Sequence, residues 1–166
     1  MPRSFEVSAD SPATVEQVHS AFSDEDYWLA RLATMNGSTA LESLTVDDDQ
    51  TVRVATTQDL GRDLVPGIVS RFYRRDLKVR HTETWTPIDG QLRGQISVAV
   101  SGAPGSGSGV ALVAPMQDGS RLTFEGSVEF KVPLVGGTIE SFIAREFARG
   151  IPDIPHFITK WVTEHA

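Results

Sequence analysis

The last quarter of the chain carries the pattern that most restricts the fold. A stripe of apolar residues recurs there at helical spacing: Ile139, Phe142, Ile143, Phe147, Ile151, Ile154, Ile158, Trp161 and Val162. A stripe of this length favours one amphipathic helix over 138–164 with one buried face. Pro152 and Pro155 interrupt it, but the spacing keeps its phase across both prolines. Because a proline bends a helix that continues past it, we predict a kink near Pro152–Pro155.

The stretch before this helix alternates between apolar and polar residues, as strands with one buried face do. In the clearest segment, 121–132, Leu122, Phe124, Val128 and Phe130 share one face while charged residues share the other. Alternation predicts strands over 3–9, 40–46, 51–60, 77–86, 91–101, 110–116 and 121–132. The chain is therefore predicted to be α+β, with an antiparallel sheet of about seven strands packed on one side.

Two short helices are predicted after the first strand. Asp10-Ser11-Pro12 predicts the start of the first, with Ser11 as N-cap and Pro12 at the first helical position. Ser23-Asp24 predicts the start of the second. The glycine- and serine-rich run 102–109 is predicted to be a hairpin loop, because a strand follows it and the lysine of a phosphate-binding loop is missing.

Composition narrows the functional classes. The 166 residues suit a single domain over 1–166. No cysteine is present, which excludes disulfides and thiolate ligands. A net charge of -7 disfavours nucleic acid as a partner. We expect a cytoplasmic protein without stable membrane insertion, since no signal-like segment or long apolar run occurs. No histidine spacing indicates a metal, and we expect no cofactor. The sequence leaves the oligomeric state open.

The order of elements resembles the START-like superfamily, also called SRPBCC or the birch-pollen-allergen fold. Its helix-grip architecture is a curved antiparallel sheet around a long C-terminal helix, with two short helices after the first strand. The segments Leu77–Trp85 and Val132–Glu140 look like an actinobacterial branch of that superfamily whose function is undefined. The resemblance covers essentially the whole chain and implies a cavity between the sheet and the C-terminal helix.

The strand 77–86 supplies the candidate polar residues of such a cavity. His81, Glu83 and Trp85 share a face with Leu77 and Val79, so a core-facing Val79 brings a histidine and a carboxylate inward. Buried charges are costly unless paired, so the two polar groups predict either a ligand contact or a structural pair satisfied by neighbours. Further ligand-binding residues are predicted from the apolar faces: Trp85, Phe124, Phe130, Phe142, Phe147 and Trp161.

Two functional classes follow from these features. The first is a carrier of a hydrophobic small molecule such as a lipid, a fatty acyl chain or a polyketide. The second, which the resemblance implies, is an enzyme of the aromatase/cyclase kind that uses His81 and Glu83 for proton transfer. A chaperone-like interaction module is a weaker third. The basic stretch 71–80 is expected to be a solvated surface, although it leaves a charged partner open.

Overall fold

A computed structural model describes residues 3–35, 38–59, 78–101, 105–130 and 153–165. The elements are β1 (Arg3–Ser11), α1 (Val15–Phe22), α2 (Glu25–Leu32), β2 (Ser38–Val46), β3 (Val52–Asp59), β4 (Lys78–Ile88), β5 (Gln91–Ser101), β6 (Gly105–Met116), β7 (Gly119–Phe130) and α3 (Asp153–Glu164). The predicted strands are confirmed, most of them a residue or more longer than alternation indicated.

The seven strands form one antiparallel sheet in the order β1-β7-β6-β5-β4-β3-β2. From β2 to β7 each strand pairs with the next in the chain, and β1 then adds to the far side of β7. The sheet is curved, and with the helices it makes the α+β helix-grip fold that the sequence predicted.

The N-cap of α1 corrects the sequence prediction. Thr14, and not Ser11, is the cap: its hydroxyl accepts from the Gln17 N–H at 3.2 Å, and the Gln17 side chain accepts from the Thr14 N–H at 2.9 Å. This reciprocal pair is a capping box. Ser11 ends β1 instead, where its hydroxyl accepts from the Ala13 N–H and meets the Thr159 hydroxyl at 2.7 Å. The predicted start of the helix was therefore three residues early.

The glycine- and serine-rich run is also corrected. Residues 105–109 are the first part of β6, paired with β5 on one side and β7 on the other. Glycine and serine have low strand propensity, but two flanking ladders satisfy the backbone of a central strand whatever its side chains are. A hairpin loop over the whole of 102–109 was wrong, and residues 102–104 lie outside the described part of the chain.

The core occupies one end of the sheet, where α1, α2 and α3 cover it. Its largest fully buried side chains are Trp28, Tyr27, Phe22, Leu92, Val18, Val52, Val54 and Val113. Ile158 and Trp161 of α3 join the same cluster. Apolar burial at about 25 cal/mol per Å² makes this end the main source of stability.

The C-terminal helix is confirmed over Asp153–Glu164. Pro155 is buried in the first described turn of this helix. The predicted helical segment 138–152 and its kink lie outside the described residues. Within the described ranges, no helix is both long enough and apolar enough to cross a bilayer.

Candidate functional site

The strand register brings the predicted polar residues to the middle of the inner sheet face. Glu83 of β4 lies opposite Val54 of β3 and Ile96 of β5. One row along, His81 lies between Thr56 and Val98. Alternation along β4 buries this face and exposes the other, as predicted. The polar spot is thus bordered by apolar side chains within the sheet.

Glu83 is held in place by the next inward-facing residue of its own strand. The Trp85 Nε1–H donates to Glu83 Oε1 at 3.1 Å, and both side chains are buried. The Trp85 ring packs at 4.8 Å from the Phe22 ring, measured between centroids, which fixes the indole against α1. One carboxylate oxygen therefore has a fixed partner, and the second remains to be satisfied by other groups.

Helix α2 adds two polar side chains that the sequence did not single out as site candidates. Tyr27 and Arg31 lie four residues apart and so share one face of the helix. Tyr27 is fully buried, with its ring edge-on to Phe157 at 5.5 Å and to Trp161 at 5.9 Å. The Arg31 guanidinium stands over the Trp28 ring at 5.2 Å. We call Tyr27, Arg31, His81 and Glu83 the polar cluster.

The hydroxyl of Tyr27 stands out within this cluster. No described residue makes a hydrogen bond of full geometry to it, but the neighbouring Arg31 guanidinium lowers its pKa both through its charge and as a side-chain hydrogen-bond donor. Burial raises the pKa of Tyr27 to about 12, opposed by the Arg31 charge and reinforced by that of Glu83. The hydroxyl is therefore protonated at neutral pH and is a buried donor without an acceptor among the described residues.

Burial and neighbouring charges also set the protonation of the other members. Burial lowers the pKa of His81, with Arg31 acting in the same direction and Glu83 against it. The imidazole is therefore mostly neutral at pH 7. For Arg31, burial disfavours the charged form, but Tyr27 and Glu83 outweigh it and the pKa is raised. The cluster thus places one cation and two neutral groups beside the Glu83 side chain.

Beyond the polar cluster, the inner face is less completely covered. Ile96, Val98, Gly107 and Gly109 point to the same side as Glu83 but are only half-buried, in contrast to the closed core. We call these four residues the half-buried patch. Two of them are glycines and carry no side chain. A Cβ at Gly107 would meet its nearest atoms at 3.3 Å, whereas a Cβ at Gly109 would meet the Phe124 ring at 2.6 Å.

Sequence comparison assigns the chain to a family. The family described as "Protein of unknown function (DUF2505)" matches residues 6–162. The chain belongs to this family.

Relatives of this DUF2505 member agree with the assignment. It is 37% identical over 173 residues to an uncharacterized protein of Mycobacterium tuberculosis, a match that covers 99% of each chain. An actinobacterial relative of this kind fits the resemblance noted in the sequence.

Solved structures show the same fold at low identity. The Thermus thermophilus protein TTHA0849 superposes with a TM-score of 0.63 at 17% identity, over 99% of each chain. Norcoclaurine synthase from Thalictrum flavum, a helix-grip protein solved in complex with dopamine and hydroxybenzaldehyde, superposes with a TM-score of 0.51 at 15% identity, over 100% of this chain and 89% of that one. These likenesses confirm the predicted helix-grip fold.

The predicted ligand-binding residues of this DUF2505 member fall into four groups. The first group is a row of neighbouring inward-facing residues on β4: His81, Glu83 and Trp85. The second is Trp161, which packs edge-on against Tyr27 of the polar cluster. Phe124 lies further along the sheet, half-buried and stacked on Phe5 at 5.5 Å. The remaining predicted positions lie outside what the structure describes: the side chain of Phe130, and the residues Phe142 and Phe147.

The polar cluster contains a pair that periodicity alone could have suggested. Tyr27 and Arg31 stand at positions i and i+4 of a helix whose start was predicted. Their electrostatic coupling to Glu83 depends on how α2 packs against the sheet, which no local pattern encodes. Within the described ranges, no three histidine or acidic residues are grouped to hold a metal ion.

Proposed function

We propose that the protein binds a hydrophobic small molecule, such as a lipid, a fatty acyl chain or a polyketide, between the sheet and the C-terminal helix. The observation that carries the proposal is the half-buried patch next to the polar cluster. Ligand sites in proteins are mostly apolar and contain a few convergent polar groups that fix orientation. The half-buried patch supplies the apolar surface, and His81 and Glu83 supply polar groups at its border.

The proposed lining extends the half-buried patch in two directions. Trp85 and Trp161 form the wall on the side of the closed core, and Phe124 continues the sheet surface. Phe130 is proposed to extend this surface. Phe142 and Phe147 are proposed to face it from the helical segment. That norcoclaurine synthase was solved with dopamine and hydroxybenzaldehyde supports the proposal, because it shows one helix-grip protein holding small aromatic molecules.

Glu83 favours binding over the proton-transfer enzyme considered above. Its Oε1 accepts a hydrogen bond from Trp85 Nε1–H at 3.1 Å, so one of the two carboxylate oxygens already has a fixed partner. A general base needs a carboxylate free to reach the substrate proton at hydrogen-bond distance. An orienting role at the border of the half-buried patch is the simpler use of the same geometry.

The test is binding of the neutral fluorescent dye Nile red to the full chain, with two neighbouring substitutions. Gly107→Leu fills the half-buried patch, whereas Ser108→Leu adds the same side chain to the exposed face of the same strand. We expect the wild type and Ser108→Leu to bind the dye with a blue-shifted emission, and Gly107→Leu to bind about tenfold more weakly or not at all.

Thermal melts of both variants show whether they remain folded. Equal loss of dye binding in the two variants would mean that the dye does not use the inner face. A folded wild type that does not bind the dye would contradict the proposal itself.

A further inference from the structure

Glu83 is a buried acidic side chain at the border of the half-buried patch. The strand register places it between Val54 on β3 and Ile96 on β5, and Ile96 is one of the four residues of that patch. Val54 is 1% exposed, whereas Ile96 is half-buried, so the inner face is covered less completely on the β5 side of Glu83. A ligand lying on the half-buried patch therefore lies beside this side chain.

The two carboxylate oxygens of Glu83 differ in their partners. Oε1 accepts from the Trp85 Nε1–H at 3.1 Å, and the Trp85 ring packs against Phe22 of α1. Among the described residues, no group donates a hydrogen bond to Oε2, and no ion pair joins Glu83 to a basic side chain. A carboxylate only accepts hydrogen bonds, so Oε2 can be paired only by a donor.

We infer that the ligand carries a hydrogen-bond donor, a hydroxyl or an N–H, that bonds to Glu83 Oε2. The inference rests on the proposed function and specifies its ligand class: an apolar molecule with one donor at the end that meets β4. The bond orients the ligand and transfers no proton, because an alcohol or an amide is a far weaker acid than a carboxylic acid.

The surroundings of Glu83 make such a bond favourable. The side chain is 9% exposed, and its neighbours in the sheet, Val54 and Ile96, have side chains that cannot form hydrogen bonds. A buried polar atom without a partner costs free energy, which an incoming donor recovers. A ligand that ends in an acceptor alone, such as an ether or a carboxylate, leaves Oε2 unpaired and sets lone pairs against lone pairs.

Two isomeric ligands test the inference on the full chain: 1-decanol, which has a donor, and 1-methoxynonane, whose ether oxygen only accepts. Each competes with bound Nile red at neutral pH, and the two inhibition constants are compared. We expect 1-decanol to bind about tenfold more tightly, the effect of one hydrogen bond to a charged group. The ether is the more apolar isomer, so a site that recognises apolar area alone prefers the ether.

A substitution tests whether Glu83 is the acceptor. In Glu83→Gln the amide oxygen can still accept from Trp85 Nε1–H, and the NH₂ group then replaces Oε2. We expect the preference for 1-decanol to be lost, so that the ratio of the two inhibition constants changes about tenfold. The control Glu125→Gln makes the same change on the exposed face of β7 and should keep the wild-type ratio. Thermal melts show whether both variants are folded.

The outcomes separate this inference from the proposed function. If the dye does not bind to the folded wild type, the proposed function fails and the inference fails with it. If the dye binds but 1-methoxynonane displaces it as well as or better than 1-decanol, the inference alone is wrong. An unchanged ratio in a folded Glu83→Gln variant also overturns the inference, because another group would then accept from the alcohol. If this variant does not fold, the wild-type comparison decides, since the expected preference runs against the apolar trend.

Discussion

Gly94 is a position where a single added methyl group should be costly, because it faces a buried aromatic ring. It lies on β5 directly opposite Trp85, and a Cβ built there comes within 2.5, 2.7 and 2.8 Å of three atoms of the indole ring. Ordinary contacts begin at about 3.5 Å, so the ring would have to move by roughly 1 Å. The ring is only 4% exposed, packs on Phe22 and donates to Glu83, so it has little freedom to move.

The cost of Gly94→Ala follows from these contacts. Overpacking a core typically costs about 1–3 kcal/mol, and a weakened Trp85–Glu83 hydrogen bond adds about 1 kcal/mol. The total of about 2–4 kcal/mol should lower the melting temperature by roughly 4–16 °C for a domain of this size. Denaturant unfolding followed by tryptophan emission measures the change directly.

Gly107→Ala is the matched control, because it changes the same residue type on the neighbouring strand. Its Cβ would meet nothing closer than 3.3 Å, so we expect a change in unfolding free energy within about 1 kcal/mol. Equal stability of the Gly94→Ala variant and the wild type would refute the reasoning, since it would mean that the Trp85 ring does not lie over β5.

Three further predictions concern stability. Ser11→Ala should lower the free energy of unfolding in chemical denaturation by about 1–3 kcal/mol, because it removes the acceptor of the buried Ala13 N–H and the partner of Thr159. The control Thr163→Ala, on the exposed side of α3, should change this free energy little. Tyr27→Phe without ligand should unfold at the same or a higher temperature than the wild type, since the lost hydroxyl has no acceptor among the described residues. A fall of several degrees would show that its contact with Arg31 stabilises the fold. Burial lowers the pKa of His81 from its usual 6.5, so the stability that the neutral imidazole contributes is complete above that pH and is lost as the pH falls through the folded-state pKa. The free energy of unfolding should therefore drop on acidification. The drop should be smaller in His81→Gln than in the control His156→Gln.

The strands and the inward face of β4 could be predicted because alternation is a local signal. Once Val79 is assigned to the core, His81, Glu83 and Trp85 must follow it. The start of α1 was harder to predict, because Ser11 and Thr14 both have side chains that can cap a helix. The length of β1 decides between them, since β1 continues to Ser11 and leaves Thr14 as the cap.

The other half of the polar cluster depends on tertiary packing. In the sequence, Tyr27 looks like an ordinary core aromatic and Arg31 like an ordinary surface charge. Only the packing of α2 against the sheet brings their charges within range of Glu83. The run 105–109 shows the same limit in another form. Its composition is typical of a loop, but two neighbouring ladders make it a central strand.

The position of β1 has a consequence for how the chain folds. The first strand pairs with the last, with Arg3 opposite Val128, and Ser11 then bonds to Thr159 of α3. During synthesis, β1 therefore emerges long before its partner exists, while the hairpins from β2 to β7 can form in sequence. Such distant pairing makes folding slow, and an unpaired strand invites intermolecular association. We expect refolding on the scale of milliseconds to seconds, with closure of β1 onto β7 as the final and most aggregation-sensitive step.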